Sequence, residues 1–287
     1  MAIPSKGFSV NARLLRVMTF NVRGSFHEGD GINAWNNRSA VNVETIKRYA
    51  PDVIGFQELQ SGNLDTYEKE LPEYVCVLGP EAGNKTPHEF NAIFYDPTRL
   101  EVLDSGGFWL STTPEIHSSS WRTRCIRSAN WAHLRCLDTG LSFLHLNTHL
   151  DHVSKSARAE GSKLIFRKLE ETQNGQGNDL PVILTGDFNC APGSLPHRNF
   201  TEDGFVDTYL AAGNDDVGGS YTFHAFRGSR YPSRRGSGSG RIDWILLRDQ
   251  QQRIQTKSQL IVRDCDEESG IYPSDHYPIL AEFVLGN

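Results

Sequence analysis

The sequence predicts an α/β protein, and three observations carry that expectation. Eight short segments are dense in β-branched and aromatic residues, and several are bounded by Gly, Pro or Asp, as strands are. Between them lie stretches in which apolar residues recur at helical spacing. Hydrophobic residues make up 38% and charged residues 22% of the 287, which is enough apolar material for a sizeable core and unlike a disordered polymer.

In chain order the strand-like segments are LLRVMTFNV (14–22), DVIGFQE (52–58), NAIFY (91–95), NWAHLRCL (130–137), LSFLHLNTHL (141–150), PVILTGD (181–187), RIDWILL (241–247) and YPILAEFVL (277–285). After the first, NRSAVNVETIKRYA puts Val43, Ile46 and Ala50 at helical spacing; after the fifth, SKSARAEGSKLIFRKLEET does so with Ala157, Leu164, Ile165 and Leu169. No short repeat and no low-complexity linker divides the chain, so one domain over 1–287, with a core of about 14–285, is the simpler expectation. Residues 213–241 stand apart, rich in Gly and Ser and ending RGSRYPSRRGSGSGR. Residues 217–242 carry five Arg and no acid, so this stretch reads as a positively charged surface loop, either solvated or a lid over an anionic substrate.

The net charge of −6 argues against a protein that holds duplex DNA by covering its phosphates with cations. The opening MAIPSKGFSV lacks the apolar core of a signal peptide, and no run approaches the roughly 18 apolar residues of a membrane span. A soluble, cytoplasmic protein without a membrane partner is the expectation. Cys76, Cys125, Cys136, Cys190 and Cys265 are odd in number and far apart, which reads as free thiols.

Polar groups unusual in strands fall at the ends of six segments: Asn21, Glu58, His149, Asp187 with Asn189, Asp243, and Asp275 with His276. Function in α/β sheets gathers beyond strand ends, so these groups can converge. Glu58, Asp187, Asp243 and Asp275 in one cleft would repel one another by several kcal/mol per close pair, on the order expected at low effective dielectric. Hard oxygen ligands without thiolates suit Mg²⁺ or Mn²⁺, and Mg²⁺ commonly binds through one or two carboxylates plus substrate phosphate. A zinc site from His145, His149 and His152 is the weaker reading, because strand alternation puts His145 and His149 on one face and His152 away from it. In SDH and RID, a His beside a carboxylate and a second carboxylate able to fix its tautomer form the usual setting of a catalytic His.

Taken together, TFNVR, GFQEL, NTHLDH, GDFN, RIDWILL and SDHYPI, in that order, closely resemble the endonuclease/exonuclease/phosphatase superfamily over residues 17–283. GDGINAWNNR and DSGGFWLSTTPE are similar to its small stand-alone branch, related to the deadenylase and nocturnin-like group. The resemblance implies a four-layered, DNase I-like α/β sandwich with two facing mixed sheets covered by helices. It implies Glu58 and Asn21 as metal ligands, with Asp275 supporting that metal or a second one. It also implies Asp187 as the group that orients or deprotonates the attacking water, Asn189 as a contact to phosphate and water, and His149 as a second phosphate contact. His276, backed by Asp243, would touch phosphate or move a proton. The abasic-site nucleases carry an acid where Arg23 stands, so a DNA-repair role is disfavoured and Arg23 can instead hold a substrate phosphate. Arg127 and Trp121 are further pocket candidates.

The expected function is a Mg²⁺-dependent phosphoesterase in which a positioned water attacks in line. Its substrate would be a small phosphorylated molecule or a single-stranded nucleic acid, the latter as in 3′–5′ RNA trimming. A binding module that keeps the fold without the chemistry is the alternative of another class.

Overall fold

A computed structural model describes residues 14–27, 29–80, 82, 89–176, 179–231 and 240–286. Its strands are β1 (Leu14–Asn21), β2 (Val53–Leu59), β3 (Val75–Leu78), β4 (Phe90–Tyr95), β5 (Leu100–Trp109), β6 (Ser128–Cys136), β7 (Ser142–His149), β8 (Val182–Asp187), β9 (Val206–Asp207), β10 (Asp243–Arg248), β11 (Ile254–Ile261) and β12 (Ile279–Leu285). The helices are α1 (Trp35–Tyr49), α2 (Ser61–Glu70), α3 (Lys155–Gln176), α4 (Leu195–Glu202) and α5 (Thr208–Ala211). Strands form two six-stranded mixed sheets, ordered β11-β12-β1-β2-β4-β3 and β5-β6-β7-β8-β10-β9.

Each sheet contains one parallel pair, β1 with β2 and β7 with β8, and the rest of its pairings are antiparallel. A parallel pair needs a crossover, and α1 and α3 supply them. Side chains from both sheets, among them Leu15, Val17, Val53 and Phe283 facing Leu134, Phe143, Ile183 and Ile245, share one apolar core. On the outer face of the first sheet Met18, Ile54 and Phe56 pack against Val43 and Ile46 of α1 and Tyr67 of α2. On the outer face of the second, Leu144, Leu184 and Trp244 pack against Leu164, Ile165 and Leu169 of α3 and Phe200 of α4. The layers are therefore helix, sheet, sheet, helix.

The region 217–231 departs from the solvated-loop expectation. Ser220, Tyr221, Thr222, His224 and Gly228 are buried, Thr222 O accepts from Tyr277 N, and its Oγ1 accepts from the N–H groups of Ile242 and Asp243. Arg241, one of the five arginines of residues 217–242, is fully buried and paired with Asp207 and Asp216. Arg227 and Arg230 are exposed, and residues 232–239, with the rest of the Arg-rich run, lie outside the described residues. Among the described residues no helix is long and apolar enough to cross a membrane.

Candidate active site

The inward-facing positions of the central strands follow a gradient. Along β1 they read Leu15, Val17, Thr19, Asn21; along β7, Phe143, His145, Asn147, His149; along β8, Ile183, Thr185, Asp187. Side chains alternate with period two, so each strand carries its inward face from the apolar core, through a hydrogen-bonded polar layer, to a chemically active group at its C-terminal end. In that middle layer Gln57 Nε2 donates to Thr19 Oγ1 and Asn147 Oδ1, and Thr185 Oγ1 lies 3.0 Å from His145 Nε2. Parallel pairing sets ends of like polarity side by side: Asn21 pairs with Gln57 next to Glu58, and His149 with Asp187. Antiparallel β10 begins at Asp243, opposite Asp187, which brings a third strand to the same spot.

Glu58 reaches the cleft through a local break. Regular alternation would send it to the helix side with Ile54 and Phe56, but the pairing of β2 with β4 shifts register between Phe56 and Leu59, and Glu58 has φ 58°. Arg23 (φ 56°) and Asn189 (φ 50°) are also left-handed. Such conformations cost a non-glycine residue about 1–2 kcal/mol each, and strain of this kind is concentrated at functional sites.

Arg23, Glu58, His149, Asp187 and Asn189 line a cleft of about 300 Å³ that also includes His27, Glu89, Cys125, Arg127, His152, Phe223, Ile242, Asp275 and His276. Asn21 Nδ2 bridges Glu58 Oε1 at 3.0 Å and Asp187 Oδ2 at 2.9 Å, while its Oδ1 accepts from Arg23 N. Asp243 Oδ2 is 2.9 Å from His276 Nδ1, and His276 Nε2 is 3.8 Å from Asp187 Oδ2. Burial alone would push the His276 imidazole down, but Asp243, Asp187 and Asp275 outweigh it and hold the ring as a cation. Burial and then Asp243 push the Asp187 carboxyl up, and burial does the same to Asp275. Arg23 lies 3.8 Å from Asp275 and 3.2 Å from Asp30.

His149 is the opposite case. Burial, followed by the charge of Arg127, holds it well below the ordinary range and therefore neutral. Arg127 Nη1 lies 3.0 Å from His149 Nδ1 and also bonds Glu89 Oε2. A guanidinium can only donate, so Nδ1 is the acceptor and the proton sits on Nε2, 3.3 Å from Asp187 Oδ2. Asn189 Nδ2, near the same nitrogen, keeps Leu150 O as its acceptor.

A family model described as the Endonuclease/Exonuclease/phosphatase family matches residues 18–276. The chain belongs to the endonuclease/exonuclease/phosphatase family. By that membership it is a phosphoric ester hydrolase. Its structure is similar to that of a mannosyl-6-phosphatase from Bacteroides thetaiotaomicron VPI-5482, with 30% identity and a TM-score of 0.83, covering 94% of this chain and 100% of that one. In sequence it is similar to nocturnin from Xenopus laevis, 25% identical over 221 residues, which is 69% of this chain and 54% of nocturnin. The chain thus spans about half the length of that relative. The human nocturnin catalytic domain, 21% identical with a TM-score of 0.70 over 95% of this chain and 94% of that one, shares the fold.

The donor set of this endonuclease/exonuclease/phosphatase cleft fits a hard divalent cation. Glu58, His149 and Asp187 each offer a ligand atom within 4.8 Å of the others, and so do His27, Glu58 and Glu89. The upward push on Asp187 and Asp275 is what buried carboxylates show when no cation balances them. Arg23 Nε and Arg127 Nε are buried N–H groups without an acceptor, which suits an incoming phosphoryl oxygen.

Ten of the sequence-derived candidates meet in or directly behind this cleft: Asn21, Arg23, Glu58, Arg127, His149, Asp187, Asn189, Asp243, Asp275 and His276. Trp121 does not. It packs partly buried against the outer core of the second sheet, and its carbonyl accepts from Ser154 and Ser156. The histidines of HLNTHLDH do not converge as a zinc set. His145 is sealed in the polar layer, whereas His152 lies past the end of β7, where alternation no longer applies, and lines the cleft beside His149. His27, Glu89 and Phe223 carry no signal in the sequence, because they stand on loops outside any periodic segment.

Proposed function

We propose that the chain is a divalent-metal-dependent phosphoesterase acting on a small phosphorylated molecule, with Mg²⁺ or Mn²⁺ as its ion. The observation that carries this reading is the arrival of carboxylates, carboxamides and two histidines, from separate strand ends and the loop before β12, in or directly behind one cleft of about 300 Å³. Glu58 would hold the ion, with Asn21 and Asp275 beside it. When bound, such an ion neutralises the carboxylates and polarises a phosphoryl oxygen.

The chain's own groups do the rest. Asp187, fixed by Asn21, Asn189 N–H and His149, orients the water and takes its proton. His276, kept cationic by Asp243, donates to phosphoryl oxygens, as Asn189 does, while neutral His149 spends its one N–H, on Nε2, in holding Asp187. Arg23 and Arg127 have unused N–H groups for the same anion. The small cleft and full-length similarity to a mannosyl-6-phosphatase favour a phosphorylated sugar-like ester. The similarity to nocturnin supports a second reading, trimming of single-stranded RNA from its 3′ end.

Hydrolysis of hexose phosphates, inositol phosphates, nucleotides, short RNA and single-stranded DNA, with Mg²⁺ or EDTA, tests the proposal. The expected result is Mg²⁺-dependent release of inorganic phosphate from a small ester, lost in Glu58→Gln and reduced about 10²-fold or more in His276→Gln. Release of mononucleotides from RNA with small esters untouched would favour the nuclease reading, and hydrolysis of nothing on the panel would overturn both substrate readings.

A further inference from the structure

Arg38, on α1, is fully buried, yet none of its five N–H groups goes to a carboxylate. Nε donates to Asn33 O, Nη1 to Val22 O and Pro273 O, and Nη2 to Arg23 O and Gly24 O, at 2.5 to 3.1 Å. The left-handed backbone at Arg23 and Gly24 helps turn three successive carbonyls toward one guanidinium. Burying a cation is costly even with the charges of Asp275 and Asp30 at a distance and the rings of Trp35 and Phe226 against it, and an apolar side chain would fill the same space. What an apolar residue cannot supply is five donors in one rigid plane.

Those carbonyls belong to two segments that carry chemistry. Residues 22–24 follow Asn21 and include Arg23, and Pro273 precedes Ser274, Asp275 and His276. Asn42, one turn further along α1, gives Pro273 O a second hydrogen bond, and Ser274 Oγ closes the link by donating to Asn21 O. We propose that Arg38 is a positioning residue: it sets the spacing between the loop bearing Asn21 and Arg23 and the loop bearing Asp275 and His276. It lies outside the cleft lining and acts through those groups. Its effect on turnover rests on the phosphoesterase reading; its effect on the two loops does not.

The test is Arg38→Lys, which keeps the charge but cannot reach five carbonyls. Hydrogen exchange at residues 21–25 and 273–277 should speed up by about tenfold or more, while the β-sheets exchange as before. With whichever phosphate ester the protein hydrolyses, kcat should fall about 10- to 100-fold with KM changed less than about threefold, as expected when supported groups lose their alignment. Unchanged exchange at the two loops, unchanged kcat, or a loss of kcat that merely follows the folded fraction would overturn the proposal. If wild-type protein hydrolyses no ester, the functional reading fails and the exchange pattern still decides the role of Arg38. Should Arg38→Lys not fold, Asn42→Ser removes the second donor to Pro273 O with the guanidinium in place. Faster exchange at 273–277 with a fall in kcat of about threefold or more would then support the proposal, and no change would overturn it.

Discussion

Asp151 accepts hydrogen bonds from Thr123 Oγ1 and from the N–H groups of Arg124, Cys125, Val153 and Ser154, and so pins the loop behind Arg127 to the start of α3. Burial alone would push its carboxyl up, but Ser154 N–H, the Thr123 hydroxyl and the other N–H groups outweigh it and hold it at about 2. A carboxyl lowered on folding from near 4 to about 2 contributes about 2 kcal/mol, present above pH 4 and lost as pH falls through 2. Asp151→Asn should therefore be about 2 kcal/mol less stable in urea titrations at pH 7, with the gap closing between about pH 4 and 2. A gap constant with pH would mean that the charge contributes nothing. Arg127 fixes a proton position in the same local way. Because its N–H fixes His149 Nδ1 as an acceptor, ¹⁵N NMR of the wild-type ring should report the proton on Nε2. In Arg127→Met the ring should become a mixture of tautomers, and an unchanged spectrum would show that Asp187 alone sets the tautomer.

Local sequence states the central strands and the long helices, and packing decides the edges. All eight expected strands form, with ends shifted by a residue or two, and both expected helices form. Four further strands, β3, β5, β9 and β11, are all sheet edges. Edge strands need no continuous apolar face, so LEVLDSGGFW, with Asp104, Ser105 and two glycines at its middle, and IQTKSQLI, with a bulge at Thr256–Ser258, lack the pattern that identifies central strands. The site was legible because its groups end apolar central strands; Arg38, Glu89 and His27 were not, since their roles come from packing across the chain. Gly55 is an element-scale feature of the same kind. A Cβ there would collide with Thr185 Oγ1 and Asn147 Oδ1, so the sheets approach as closely as they do only because β2 has no side chain at that point. Overpacking costs about 1–3 kcal/mol, and the polar layer cannot yield without losing hydrogen bonds, so Gly55→Ala should cost about 3 kcal/mol in urea unfolding. A loss under about 1 kcal/mol would mean that the sheets separate freely.

At the scale of the whole molecule, the balance of charge bears on the substrate. The chain is acidic overall, at −6, and many of its cations are engaged: Arg241 with Asp207 and Asp216, Arg99 with Asp52, Arg248 with Glu170. Buried Nε–H groups without an acceptor occur instead at the cleft, on half-buried Arg23 and buried Arg127, which is a surface suited to one phosphoryl group and poorly suited to a row of phosphates. Binding a single-stranded nucleic acid through Z phosphates makes log K fall with log salt at a slope of about −0.7Z, whereas one buried phosphate group contributes little to such a slope. Raising KCl from about 50 to about 300 mM at constant Mg²⁺ should then change kcat/KM for the preferred ester by less than about threefold. A nucleic-acid substrate contacted at three phosphates would lose more than tenfold over the same range, by the roughly −2 slope that Z implies. A steep fall for the preferred substrate would place additional phosphate contacts outside this cleft and favour single-stranded RNA over a small ester.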